Sequence, residues 1–289
     1  MASGPPAVIR AAEAIRQAKA IVITAGAGMG VDSGLPDFRG PQGFWKAYPP
    51  LKKMNLTLSQ MSTPSWFLED PTFAWGFFGH RYKLYKNTTP HEGFHILRKW
   101  TRQMDKGYFV FTSNVDGHFQ KAGFSEDRLI ECHGSINYLQ LVNCDSNHII
   151  WPVPPDFDPK VDESTLHAAE PLPRGPPLDP QGLARPNILM FGDWDWVSHR
   201  TDGQQTRFNQ FVSNLKADPH TPFVVVEIGA GLAVPTVRFQ GEMLVERSKE
   251  GVLIRINPNE PQVNRDRDVS LQMTGLQALK LIDKALENV

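Results

Sequence analysis

Residues 130–150 read IECHGSINYLQLVNCDSNHII and place a histidine, His133, beside Gly134 with Cys132 and Cys144 on either side. An imidazole titrates near pH 6.5, so His133 suits proton abstraction at neutral pH. A structural histidine at a strand end has the same local sequence. Thiolates bind zinc when three or four ligands converge, but Cys132 is equally a small apolar core residue. A second chemical stretch, TAGAGMGVDSGLPDFRG at 24–40, carries Gly26, Gly28 and Gly30. Glycines let a backbone approach a pyrophosphate and offer amide donors at a helix start. Val31, three residues after Gly28, breaks the usual dinucleotide fingerprint, and a tight strand-to-helix turn would use the same glycines. A third, FTSNVDGHFQKAG at 111–123, offers the Asn114 amide and the Asp116 carboxylate, in a pattern that also suits a capped turn.

The elements that would position these groups follow from periodicity. Val8, Ile9, Ala12, Ile15 and Ala18 form one helical stripe, and AIVIT at 20–24 reads as a buried parallel strand. Apolar runs at 107–113, 187–192, 222–231 and 251–257 have the same length and character, with helical patterns between several of them. The fold class expected is α/β, a doubly wound parallel sheet. Residues 42–90, rich in aromatics, read as a helical insertion. Residues 145–184 hold nine prolines, among them Pro152, Pro159, Pro171 and Pro176, and read as an irregular excursion.

With 289 residues the chain can bury a large core. Thirty basic against 31 acidic side chains leave no footprint for nucleic acid or an anionic membrane surface. Two cysteines allow at most one disulfide, and no apolar run approaches bilayer length. A reducing, aqueous compartment, cytoplasmic or nuclear, is expected.

Beyond these readings, the blocks GAG at 26–28 with SGLPDFR at 33–39, TSNVDG at 112–117, ECHGS at 131–135, ARPNILMFGD at 184–193, EIGAGLAVP at 227–235 and RIN at 255–257 occur in order. Together they resemble the sirtuin family of NAD-dependent protein-lysine deacylases. The resemblance implies a Rossmann-like domain (1–41, 91–140 and 185–289) and a smaller domain made of two insertions (42–90 and 141–184). It implies NAD bound between them by Gly26, Ala27, Gly28, Gly30, Asp37, Phe38, Arg39, Ser113, Asn114, Val115, Asp116, Gly229, Ala230, Gly231 and Asn257. In such enzymes the acyl-lysine oxygen attacks the nicotinamide ribose, nicotinamide leaves, and a histidine deprotonates a ribose hydroxyl that takes the acyl group. That base would be His133, with Asn114 as the second catalytic residue.

The departures are specific. Where the family has glutamine, serine and Thr-Ser, this chain has Ser113, Gly30 and Ala230-Gly231. NAD would therefore depend on backbone amides, and each lost hydroxyl contact weakens it by about 0.5–1.5 kcal/mol. Most sirtuins hold a structural zinc with four cysteines, whereas this chain has two, so no zinc is expected. Trp151 and Phe157 would hold the proline-rich excursion in its place. An acylated lysine of a protein or peptide would bind along Phe191, Gly192, Asp193 and Val234. Phe78 and Arg81 stand where the branch that removes acidic acyl groups has Tyr-x-x-Arg, retaining the guanidinium and losing that phenol. The alternatives are an ADP-ribosyltransferase or NAD hydrolase on the same fold, and a non-catalytic binding module for NAD or acyl-lysine.

Overall fold

The computed structural model describes residues 5–36, 40–143, 149–176 and 181–287. In chain order, α1 (Pro6–Gln17) and β1 (Ala20–Ala25) are followed by the helices α2 (Gly40–Ala47), α3 (Pro49–Lys53), α4 (Leu58–Met61), α5 (Trp66–Glu69), α6 (Pro71–Asn87) and α7 (Glu92–Thr101). Then come β2 (Tyr108–Thr112), α8 (His118–Lys121), β3 (Leu129–Glu131), β4 (Gly134–Leu141), β5 (Trp151–Pro152), β6 (Val161–Asp162), β7 (His167–Ala168) and β8 (Ala184–Ile188). The chain closes with α9 (His199–Lys216), β9 (Phe223–Ile228), α10 (Thr236–Glu246), β10 (Gly251–Ile256), β11 (Val269–Leu271) and α11 (Gly275–Leu286).

Six strands form one parallel sheet in the order β11-β10-β9-β1-β2-β3. Alternation along the strands feeds two apolar layers. Ile21, Ile23, Val224, Val226 and Ile254 pack with α1, α7 and α11 on one face. Val22, Val225 and Leu253 pack with Phe208, Phe211 and Leu244 of α9 and α10 on the other. Burial on both faces explains why these strands read as largely apolar runs, broken by the mutually paired Glu227 and Arg255.

The apolar run at 187–192 behaves differently from the expectation of a further parallel strand. It starts as β8, pairs antiparallel with β4, and belongs to a three-stranded sheet β5-β4-β8. A third apolar cluster joins Phe44, Tyr48, Phe67, Trp75, Phe77 and Phe78 to Leu139, Leu166, Ala168 and Ala184. It thus draws on both insertions, and it also takes in Ile136, Ile188 and Met190 from the ranges assigned to the larger domain. The proline-rich excursion is less irregular than expected: β6 and β7 pair antiparallel, and β5 adds to β4. Phe157 sits 5.7 Å from Trp75 and 5.2 Å from Tyr82, ring centre to ring centre, and so ties the excursion to α6.

Candidate functional site

The parallel register sets Ala25, Thr112, Glu131, Ile228 and Ile256 along one carboxyl edge of the sheet. The hydrogen-bond ladder continues one residue further, from Gly26 N–H to Ile228 O, Ser113 N–H to Ala25 O, Cys132 N–H to Thr112 O and Gly229 N–H to Ile256 O. The five chains therefore leave the sheet at one level, and the segments that follow are the ones singled out by sequence: 26–30, 113–116, 132–133, 229–231 and 257. From β1 the chain goes to β2 and β3 on one side and later to β9, β10 and β11 on the other. Strand order reverses between β1 and β9, and ligands of open α/β sheets bind in the crevice at such a switch point.

At that point the two glycine loops touch backbone to backbone. A Cβ on Gly229, whose φ is +60°, would lie 2.4 Å from the Gly28 carbonyl carbon. A Cβ on Gly28 would lie 2.7 Å from the Gly229 Cα. The glycine amides expected to face a pyrophosphate turn inward instead: Gly26 donates to Ile228 O, Gly28 to Gly229 O at 3.1 Å, and Gly30 to Ala27 O. Their neighbours are left as donors. Among the described residues no acceptor meets the amides of Ala27, Ala230 or Gly231, although Ala230 and Gly231 are buried. Buried amides almost always find a partner, so a pair without one fits an anionic ligand. Asn257, 2% exposed, is spent on shaping this loop. Its Nδ2 donates to Ala230 O at 2.8 Å, while its Oδ1 accepts from the amides of Asn259 and Glu260. The Glu260 carboxylate in turn accepts from Leu232 N–H at 2.9 Å. The Asn257 side chain, expected among those that hold NAD, thus acts as a clamp on the loop.

On the other side of β1, Asn114 Nδ2 donates to Gly26 O at 3.0 Å and its backbone amide to Thr112 Oγ1. Among the described residues no donor meets the Asn114 amide oxygen. Asp116 Oδ1 accepts from His118 N–H at 2.9 Å, so the capped-turn alternative holds for one carboxylate oxygen. Ser113 bonds through its main chain to Ala25, and Val115 packs into the aromatic cluster. His118 and Phe119 are core residues, the latter edge-on to Phe94 and Phe124.

His133 lies where the chain passes from the parallel sheet to the antiparallel one. Its carbonyl accepts from Leu189 N–H at 3.0 Å. Gly134 follows with φ +75°, and a Cβ there would lie 2.1 Å from Asn187 O. Desolvation holds the His133 imidazole below the usual 6.5, opposed in part by a main-chain hydrogen bond at Ser113. The ring is therefore neutral at pH 7, the state a proton acceptor requires. Cys132 is half-buried, and burial pushes its thiol up to about 12, which marks it as inert rather than nucleophilic.

Of the residues expected on the substrate side, Phe78 is fully buried and Arg81 is 9% exposed, both on α6. The phenol absent at position 78 returns one turn beyond Arg81, at Tyr85. Tyr85 Oη accepts from Arg81 Nε and Nη2 at 3.1 and 2.9 Å, and the guanidinium also stands over the rings of Phe77 and Phe78. The i, i+4 spacing of Arg81 and Tyr85 on a helix was the signal for this pair. Phe191 and Val234 are exposed and Gly192 adopts φ +67°. The Asp193 side chain, in contrast, is fully buried in a two-point ion pair with Arg185 at 2.7 and 2.8 Å. Its carboxylate is thus committed to the fold and closed to a ligand. Asp37, Phe38 and Arg39 lie outside the described residues, as do Cys144 and His148.

A doubly wound parallel sheet with two glycine loops meeting at its switch point defines a Rossmann-like α/β protein. The model of the Sir2 family matches residues 26–251, and the chain belongs to that family. It is 26% identical over 263 residues to an NAD-dependent protein deacylase of Aquifex aeolicus, covering 91% of this chain and 93% of that one. It is 28% identical over 277 residues to an NAD-dependent protein deacylase of Deinococcus radiodurans, covering 94% and 97%. Among solved structures, a mutant Sir2 homologue in complex with ADP-ribose superimposes with a TM-score of 0.68 at 22% identity, covering 96% of both chains.

Proposed function

We propose that the protein is an NAD-dependent protein-lysine deacylase that transfers the acyl group to ADP-ribose and releases nicotinamide. One observation carries this reading: a neutral, half-buried His133 stands on the same sheet edge as two interlocked glycine loops with buried amides left to donate. The relatives from Aquifex aeolicus and Deinococcus radiodurans support it.

The amides of Ala27, Ala230 and Gly231 would take the pyrophosphate oxygens of NAD, with Gly28 and Gly229 giving the backbone room to approach. When bound, NAD supplies an electrophilic ribose carbon, nicotinamide as leaving group and a hydroxyl to receive the acyl chain. The Asn114 amide oxygen and the second Asp116 oxygen would serve the nicotinamide end, the carboxylate suited to accept from a carboxamide N–H. His133 would take the proton of the ribose hydroxyl through a ring nitrogen, which a ring held below its usual pKa can do at pH 7 without first losing a proton of its own. Arg81 and Tyr85 together restore a guanidinium–phenol pair that suits an acyl chain ending in a carboxylate.

The test is incubation of the protein with NAD and acetyl-, succinyl- or myristoyl-lysine peptides. Nicotinamide and O-acyl-ADP-ribose should appear together and only with peptide. Nicotinamide released without peptide would replace this reading with NAD hydrolysis or ADP-ribosyl transfer.

A further inference from the structure

Every polar group of Glu131, the last residue of β3, is held by a neighbouring element. Its N–H donates to Gln204 Oε1 at 3.0 Å, its C=O accepts from Thr201 Oγ1 at 3.2 Å, and its carboxylate accepts from Arg200 Nη2 at 2.5 Å. All three partners lie on the first two turns of α9. The Gln120 side chain on α8, the helix that follows directly on Asp116 and Gly117, lies near enough to this carboxylate to favour its charged form. Glu131 is 1% exposed, Arg200 stands with its guanidinium 4.2 Å from the Tyr138 ring centre, and among the described residues no hydrogen-bond partner meets the buried Arg200 Nη1.

A buried ion pair is weak evidence for stability, because desolvation offsets most of its Coulomb attraction. This one occupies a particular place. His133 comes two residues later, and the chain between them has a single further tie, Cys132 N–H to Thr112 O. On its other side His133 is pinned by its own carbonyl to Leu189 and by Gly134 against Asn187. The α9 grip is thus the anchor on the β3 side of His133. Gln120 brings the α8 segment behind Asn114 and Asp116 up to the same carboxylate.

We infer that Glu131 and Arg200 are positioning residues: they set His133 at its working distance from the Asn114–Asp116 loop, without touching substrate. The inference rests on His133 being the base of the proposed reaction. Loss of nicotinamide does not require that base, whereas movement of the acyl group does, so a misplaced ring separates the two halves of the reaction.

The experiment uses the full chain with Arg200→Met, the double variant Glu131→Leu/Arg200→Met, and Thr201→Val. The double variant removes the pair without leaving a buried charge, so its melting temperature should return toward that of the parent. Its peptide-dependent exchange of labelled nicotinamide into NAD should stay near parental. Its formation of O-acyl-ADP-ribose should fall about 10–100-fold, the scale set by a side chain moved by up to an ångström. The acid limb of the acyl-transfer profile should move toward 6.5 as the ring loses its enclosure. Thr201→Val, which deletes one grip and no charge, should shift acyl transfer in the same direction by a smaller factor, and Arg200→Lys should recover part of the Arg200→Met loss. A double variant that transfers acyl groups at the parental rate, or that loses exchange and transfer in equal measure, overturns the inference. Acyl transfer surviving in His133→Ala would instead overturn the proposed function.

Discussion

Replacing Gly229 by alanine tests the meeting of the two glycine loops. The residue sits at φ +60°, a left-handed conformation that costs an L-amino acid about 1–2 kcal/mol. The new Cβ would lie 2.4 Å from the Gly28 carbonyl carbon and 2.6 Å from the Met29 nitrogen. Carbon atoms rest about 3.5–4.0 Å apart, so the loops must part by roughly 1 Å. Overpacking of a rigid site adds about 1–3 kcal/mol. Stretching the 3.1 Å bond from Gly28 N–H to Gly229 O adds about 0.5–1.5 kcal/mol. The whole amounts to about 4 kcal/mol, a large share of the roughly 5–15 kcal/mol that holds a domain together. Gly107→Ala is the control, since Gly107 has φ +80° and nothing within 4 Å of an added Cβ. Urea unfolding should show a loss near 4 kcal/mol for Gly229→Ala and only about 1–2 kcal/mol for Gly107→Ala. In calorimetry Gly229→Ala should bind NAD about tenfold more weakly through its displaced Ala230 and Gly231 amides, and Gly107→Ala as the parent does. A Gly229→Ala protein as stable as the control and binding NAD normally would refute the packing described.

Three further outcomes are expected. His91 Nδ1 accepts from Gly93 N–H while its Nε2 meets Met29 O, an arrangement that holds the ring neutral, and burial lowers its pKa below 6.5, as it does for His133. The unfolded chain therefore takes up protons that the folded chain refuses, so these rings cost no stability above pH 6.5 and progressively more below it. Urea midpoints measured from pH 7.5 to 5.5 should fall for the parent and fall less steeply for His91→Gln; equal slopes would contradict the assignment. Arg185→Met strands the buried Asp193 carboxylate and should cost about 3–5 kcal/mol in urea unfolding, most of it recovered by adding Asp193→Leu. Metal analysis of folded, chelator-treated protein should find no stoichiometric zinc, because a two-cysteine chain lacks the usual four thiolates; zinc at one per chain would contradict the expectation.

Much of the sheet is legible because strands buried on both faces are largely apolar, as 20–24, 107–113, 222–231 and 251–257 are, with the buried charges of Glu227 and Arg255 paired to each other. Composition does not encode pairing, which is why 187–192 looked like another such strand although Ala184–Ile188 joins β4 in the antiparallel sheet. The site segments were legible as motifs, since glycines, Asn-x-Asp and His-Gly are short-range patterns. Which carbonyls would claim the glycine amides was not, because Ile228 and Gly229 lie two hundred residues away in sequence from Gly26 and Gly28. Buried charge was equally hidden. Nothing local distinguishes Asp193, Glu131 or Arg200 from surface residues; burial of the Arg185 and Arg200 pairs appears only when distant elements meet. Tyr85 is readable from the sequence, since side chains one helical turn apart, as at 81 and 85, share a face.

The central claim is that His133 is the base that moves the acyl group. Its most direct test is a single-turnover reaction of His133→Ala with NAD and an acyl-lysine peptide, following nicotinamide and O-acyl-ADP-ribose separately. The account predicts NAD bound as in the parent, nicotinamide exchange retained, and no O-acyl-ADP-ribose. Formation of that product at the parental rate would contradict it.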